Sequence, residues 1–469
     1  LPGEEGRWTG NDASGLLMTS DDVVKSVFAG ICAVLCVLSV SGEAIVGPAA
    51  VRRVVDASAY GFSPQASPSE NAQALQRALD GGNCRVTITN AACYKLGGTV
   101  YLDDNTELVC EKGTLLKKAG QYAHLILNRG IASGVTNVNI TIRGLSISDG
   151  GINVPPDPGS DLHGLWGLIT FHRVRNVLLD DFTCVEFAAH QYCLQAVAFD
   201  GLTVENFVIR GEKDGIHLNS GKNFVIRNGR LRTADDGIAI NAGEWPGYTA
   251  EMGSITDGLV ENVVDEPGGK CNFARVITGA WTDWHPGMKL QRADIFAHKG
   301  YTYIIYPAPL GRNETESMTP PAHHKGLWKS PEGLNVFCLQ RDLWRKASIT
   351  NVVFRNCTLS GRGIYCAWEV NEWARLIHPD LPRKDYPEID IVLENVEKTA
   401  KRPMVYGNAD AKIEFRNCHA AAGELANLWA TGGTACPVRT ITVDGKTTVY
   451  DQGSAQVRQV NAVVDPGLR

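Results

Sequence analysis

The chain has 469 residues, 44% hydrophobic and 20% charged, with a formal net charge of −6. This is the make-up of a globular protein with a substantial core, and without a long basic run it argues against nucleic acid as a partner. Its 49 glycines point to frequent tight turns rather than long helices.

Residues 24–41, VKSVFAGICAVLCVLSVS, are the one membrane-like stretch. Lys25 precedes a short apolar run, and small residues follow in SGEAIVG. That is the layout of a secretory signal peptide, and the run is short for a membrane span. Met18 lies just before it. The reading is an upstream segment plus signal peptide over 1–47 and a single domain over 48–469, with no membrane span in the mature form. The location expected is secreted, periplasmic or cell-surface. Of 13 cysteines, Cys32 and Cys36 fall in this leader, and none shows the C-x-x-C spacing of a zinc site. Cys84 and Cys93 flank a short loop and form a candidate disulfide in an exported protein. Cys357 and Cys418, each in FRNC, read as core positions.

Further along, one pattern keeps returning. NVNITIRGLSISDG (137–150), NVLLDDFTCVEFA (176–188), GLTVENFVIRG (201–211) and NFVIRNGRLRT (223–233) share it, as do segments at 348–366, 389–399 and 411–420. Each has a short alternating apolar strand, an Asn or Gly turn and a second short strand. Repeats about 20–35 residues apart indicate a solenoid of strands, and apolar residues at helical spacing are lacking. The expected fold is all-β, a right-handed parallel β-helix.

Residues 211–243, GEKDGIHLNSGKNFVIRNGRLRTADDGIAINAG, carry the chemistry. Asp214-Gly215-Ile216 returns as Asp236-Gly237-Ile238 twenty-two residues later. Coils of a parallel β-helix stack about 4.8 Å apart, so a 22-residue coil puts Asp214 over Asp236, with Asp235 beside them. Like charges so close cannot all ionise comfortably, so at least one carboxyl keeps its proton, and removing one should relieve repulsion. A single Asp-Gly turn is ordinary turn chemistry, with Gly in the left-handed region. Two stacked turns with a third acid make a site.

These motifs resemble those of glycoside hydrolase family 28, the polygalacturonase-like enzymes. EKDGIHLN (212–219) and ADDGIAIN (234–241) are similar to that family's N-T-D-G-I-(H/D)-I and G-D-D-C-I-(A/S)-I. Upstream, VVDASAYGF and NAQALQRALD resemble its opening strand and capping helix, which implies a short helix near 69–80. The resemblance covers about residues 53–245. It implies Asp235 as general acid, with Asp214 and Asp236 holding and deprotonating water, and inversion at the anomeric carbon. Inversion needs carboxyls about 6.5–9.5 Å apart. It also implies a polysaccharide or oligosaccharide substrate, pectic in the family's case, with no cofactor and no metal. The family's G-H-G and R-I-K motifs are missing, and Glu212-Lys213 replaces its Asn-Thr; Arg275, in ARVIT, is the nearest candidate for a substrate-holding cation.

His190 sits where family members often carry a substrate-contacting His. His217 joins the substrate-binding candidates, although strand alternation from Asp214 turns it to the other face. His285 is a loop residue. Trp245, Trp281 and Trp284 fall in or near insertions after the acidic coil, where aromatic faces suit sugar rings. The stretch 307–332 reads as a long loop over one face of the solenoid, where His323-His324 does not make a metal site. Insertions at 242–255, 279–292 and 307–332 are expected to wall off one end of the groove, as in an exo-acting enzyme. The protein is expected to be a monomer. Two other readings remain: a β-helix polysaccharide lyase using Ca²⁺ and an Arg base, and a non-catalytic carbohydrate-binding solenoid.

Overall fold

The computed structural model describes residues 53–459 apart from 132, 157–161, 246, 306–313, 323–326, 342–344, 368, 371–373, 430–438 and 452–453. The leader with its signal-peptide reading lies outside the described residues, as do His323 and His324.

The chain winds into a right-handed parallel β-helix. One inward column shows the register: Ile169 pairs with Leu194, Leu194 with Ile216, Ile216 with Ile238, Ile238 with Ala274, Ala274 with Ile364, and Ile364 with Val405. Every member of this column is buried. Apolar residues at every second position line the inside of the wall because strand side chains alternate faces. The coil from Ile216 to Ile238 is 22 residues long, so the spacing of the acidic echo is one turn of the solenoid.

Asparagine shapes the corners. Asn228, Asn262, Asn356, Asn395 and Asn417 all adopt φ between 49° and 55°. Each donates from Nδ2 to the Oδ1 of the asparagine one coil before it, with Asn262 to Asn228 at 3.1 Å and Asn417 to Asn395 at 2.7 Å. Asn tolerates this left-handed backbone, and its short amide satisfies its neighbour. Asn356→Ala should therefore lower stability by about 1–3 kcal/mol, combining the left-handed penalty with a lost hydrogen bond. Asn356→Gly should recover the backbone part. Urea midpoints of the two variants check this; equal losses would show that the ladder bond alone matters.

Inside the wall, phenylalanines need room. Phe207 stands over Gly229 and Phe224 over Gly258. A Cβ on either glycine would lie 2.0 or 2.1 Å from the ring, so each of these rings fills space that only a glycine on the next coil leaves open.

The helix Pro68–Leu79 closes the N-terminal end. Ser67 and Glu70 form a capping box with Pro68 at the first position, and Ala74, Leu75, Ala78 and Leu79 are buried. At the other end Lys446–Tyr450 folds back antiparallel on Arg439–Val443, covering an edge that would otherwise be open.

Two readings need correction. All ten described cysteines are free: Cys84 points into the core while Cys93 is exposed, so the two face opposite sides of the wall and cannot bond. The solenoid is also interrupted. Between the wall strands Ala274–Ile277 and Ile349–Arg355 the chain builds a five-stranded, largely antiparallel sheet from Thr282–Asp283, Ile295–His298, Tyr301–Ile305, Leu327–Lys329 and Asn335–Arg341. It has its own small core of Met288, Leu290, Phe296, Tyr303, Ile305, Leu334 and Val336. Part of what was read as loop is thus a folded insertion.

Candidate functional site

The three acids sit at the turns that feed two wall strands, Ile216–Thr233 and Ile238–Asn241. Gly215 donates to the Asp236 carbonyl at 2.9 Å, and Gly237 to the Asn272 carbonyl at 2.9 Å. Asp214, Asp236 and Asn272 therefore stand in one column, and the pairing of Ala274 with Ile364 continues it to Arg362. The glycines after the acids are required by contact rather than by a left-handed backbone. A Cβ on Gly215 would lie 2.6 Å from the Gly237 carbonyl oxygen, and one on Gly237 would lie 2.8 Å from that of Phe273.

The stacked acids do not face each other bare. Arg275, its side chain 15% exposed, reaches both: Nη2 is 3.3 Å from Asp214 Oδ2 and Nε is 2.9 Å from Asp236 Oδ2. The second contact is a close ion pair whose angle falls short of a hydrogen bond. Asn272 donates to Asp236 Oδ1 at 2.6 Å, and the Asp236 N–H points at Asp214 Oδ1 at 3.3 Å. Asp214 and Asp236 are both fully buried. Asp235 differs, with 26% of its side chain exposed and the Lys213 ammonium in direct contact.

Burial pushes the carboxyls of Asp214 and Asp236 upward, and the neighbours decide the outcome. For Asp214 the burial effect is outweighed by Arg275, His217 and Lys213, and its pKa falls. For Asp236 burial, reinforced by Asp214 and Asp235, exceeds the pull of Arg275, and its pKa rises to about 6. The expected retained proton therefore belongs to Asp236.

His217 was expected to face away from the acids. Instead its Nδ1 lies 2.7 Å from Asp214 Oδ2, because Asp214-Gly215 is a turn preceding the strand and strand alternation does not reach back through it. His217 is fully buried and both its ring nitrogens are engaged by Asp214 and Glu244, so it has no polar group left for a substrate. Tyr192 stacks flat on the ring at 4.0 Å, and Glu244 Oε2 lies 2.9 Å from Nε2. Trp281 is also lost as a sugar platform, being 1% exposed within the main core. Trp284 packs on the insertion's core and donates to Ser317 Oγ at 2.9 Å. Trp245 is half-buried against Tyr248. His190 is exposed at the turn before Tyr192–Gly211, and His285 is an exposed partner of Asp380.

Lys213, Glu244, Asn272 and Arg362 escaped the sequence reading. Lys213 lies 22 residues before Asp235, the same spacing that linked the acids, so the repeat did carry its signal. Arg362 is exposed and makes no side-chain hydrogen bond or ion pair among the described residues. Its charge opposes the rise that burial imposes on Cys271 and Tyr406. Tyr365, Tyr406 and Trp429 form a triangular cluster beside it, with ring centroids 5.1, 6.2 and 6.4 Å apart pairwise. The Tyr406 hydroxyl donates to Asn272 Oδ1, which ties this aromatic cluster to the acids.

Donor atoms of Asp235, Asp236 and Cys271 lie within 4.8 Å of one another. Lys213 and Arg275 already stand on those carboxylates, so a divalent cation would meet positive charge on both sides.

No protein-family model matches the chain, and no curated protein matches it. Solved structures similar to it include a family 28 exopolygalacturonase of Yersinia enterocolitica, 16% identical, with a TM-score of 0.42 over 84% of this chain and 79% of that one. The catalytic unit of a GH87 α-1,3-glucanase from Streptomyces thermodiastaticus is 15% identical, with a TM-score of 0.44 over 83% and 67%. The surface protein and adhesin PfbA of Streptococcus pneumoniae is 13% identical, with a TM-score of 0.39 over 83% and 99%. At such values the likeness does not reach the chemistry, which rests on the residues above.

Proposed function

We propose that the protein is an exported glycoside hydrolase that cleaves a polysaccharide or oligosaccharide with inversion. The acid and base carboxyl oxygens approach within 4.8 Å, closer than the usual inverting separation of about 6.5–9.5 Å, so the configuration of the first-formed anomer decides the stereochemistry. The observation that carries the hydrolase reading is the division of labour among three clustered acids: one reachable from solvent, two buried behind it with pKa values driven apart. Asp235 is the carboxyl that can meet a glycosidic oxygen, and we assign it proton donation. Asp236, at about 6, is matched to removing a proton from water near neutral pH. Asp214 stays ionised and orients that water. The C–O bond to the leaving sugar breaks as Asp235 protonates its oxygen. Water attacks the anomeric carbon from the opposite face and gives its proton to Asp236.

An acidic, pectic-type glycan is the substrate this face favours, because Arg362 offers a guanidinium with no side-chain partner among the described residues beside aromatic side chains. Arg362→Ala should raise KM on such a glycan about tenfold, the worth of one charge-assisted hydrogen bond, with kcat little changed. An equal rise on neutral glycans would remove the acidic-substrate reading.

A panel of polysaccharides and nitrophenyl glycosides, with products followed by chromatography and by NMR of the first-formed anomer, tests the main proposal. New reducing ends of inverted configuration support it. Products absorbing as unsaturated uronides would make the protein a lyase, and binding without turnover would make it a carbohydrate-binding solenoid. Because Asp236 must be ionised to take a proton, kcat/KM should fall as the pH drops through about 6. A profile flat down to pH 4 would take the base role from Asp236.

A further inference from the structure

Glu244 has no part in the reaction proposed above, yet it is the most tightly held acid of the cluster. It follows the wall strand Ile238–Asn241, is 3% exposed, and has both oxygens taken by partners within the chain. Oε2 accepts from Asn241 Nδ2 at 2.5 Å and lies 2.9 Å from His217 Nε2, while Oε1 accepts the Trp245 N–H at 2.8 Å. On the other side of the imidazole, Nδ1 is 2.7 Å from Asp214 Oδ2. Tyr192 covers the ring face. The remaining charges nearby are Arg275, on Asp214 and Asp236, and Lys213, on Asp235.

An ionised carboxylate only accepts hydrogen bonds. With a carboxylate at each nitrogen, both nitrogens must carry hydrogen, which makes the ring an imidazolium. The buried charges then balance. Asp214 and Glu244 are negative, His217 and Arg275 are positive, and Asp236 is the surplus acid. This balance gives a reason, independent of any one contact, why Asp236 is the group whose ionisation is pushed up toward neutral pH.

We propose that Glu244 is a positioning residue: it fixes His217 as an imidazolium donating from both nitrogens, and His217 in turn holds Asp214 as the fixed anion of the acid cluster. The pinning of His217 by Glu244 stands on geometry alone; its consequence for turnover rests on the hydrolase reading. His217 thus cannot serve as a base, and loss of the Glu244 charge should let it titrate.

The test uses ¹⁵N-histidine-labelled full-length protein, with the His217 signals assigned by comparison with His217→Gln. In the native protein both ring nitrogens should remain protonated from pH 5 to 8. In Glu244→Gln, which keeps the shape but replaces one accepting oxygen by an NH2 donor, the ring should lose a proton within that window. The same variant should show kcat at pH 8 reduced about tenfold or more relative to pH 6, beyond any change in the native enzyme, with KM unchanged. A purely structural role would lower the unfolding temperature without creating a new titration. An ordinary His217 titration in the native protein, or no titration in Glu244→Gln, would overturn the proposal. If Glu244→Gln does not fold, Glu244→Asp, whose carboxylate is one methylene short of His217 Nε2, should also let the ring lose a proton between pH 5 and 8, and a ring that stays protonated throughout would count against the proposal. Should the protein turn over no glycan, the NMR titration still decides the Glu244–His217 link, so failure of that link and failure of the hydrolase reading remain distinct.

Discussion

Asp235→Asn is expected to give folded protein whose turnover is reduced about 10²–10⁴-fold, the usual worth of a positioned general acid. Asparagine keeps the size of the side chain and can accept a hydrogen bond, but it has no acidic proton to give to a leaving oxygen. The fold should survive because Asp235 is partly exposed and its carboxylate supports no wall contact; its Lys213 partner is also partly open to water. Asp236→Asn should cost as much, through loss of the base, and the double variant should be little worse than either single one, since residues that act as one unit do not lose activity additively. The measurement is initial rate on the substrate identified from the panel, with circular dichroism and an unfolding curve for each variant. Near-full activity in Asp235→Asn would place the active site elsewhere. Losses that add would show that the two acids act independently.

The part of this site that a reader of the sequence can see is the part that repeats with the coil. Asp214 and Asp236 lie one 22-residue turn apart, and the hydrogen bond from Gly215 to the Asp236 carbonyl places them as that spacing predicts. Lys213 and Asp235 obey the same interval. Arg275 does not, because the coil from Ala239 to Arg275 is 36 residues long and the longer turn hides the register. It was therefore read as a substrate-holding cation when it stands between the acids. Glu244 is harder still. It belongs to a segment outside the repeat, and only folding brings it to His217. The insertion between Ile277 and Ile349 was missed for a different reason: its strands are short, its Pro-rich and polar stretches read as loop, and the antiparallel partners that make it a sheet are met only on folding. The expectation that deleting any acid would relieve repulsion holds for Asp236 at most, since Asp214 is compensated by cations on two sides.

Arg275→Leu should destabilise the protein by about 3–5 kcal/mol at neutral pH, because it removes the cation from between two buried carboxylates and leaves Asp214 partly uncompensated. The loss should depend on pH in a definite direction. Asp214 has a folded pKa below its unfolded one, so its ion pairs stabilise the native state above about pH 4, and that contribution fades as pH falls through the folded value. The deficit of Arg275→Leu should accordingly shrink in acid, where the carboxyls can be neutralised by protons instead of by the guanidinium. Asp236 works the other way. Its folded pKa is raised, so its contribution is fully present below the unfolded value near 4 and is lost as pH climbs through about 6. Native stability should therefore carry a downward slope between about pH 4 and 6 from this one group, and Asp236→Asn should remove that slope while still accepting the Asn272 hydrogen bond through Oδ1. Urea unfolding of the three proteins at intervals from pH 4 to 8 reads both effects. An Arg275→Leu protein as stable as the native one at pH 7, or one whose deficit is the same at pH 4, would mean that Arg275 does not compensate the acids. A slope that persists in Asp236→Asn would move the retained proton to another group.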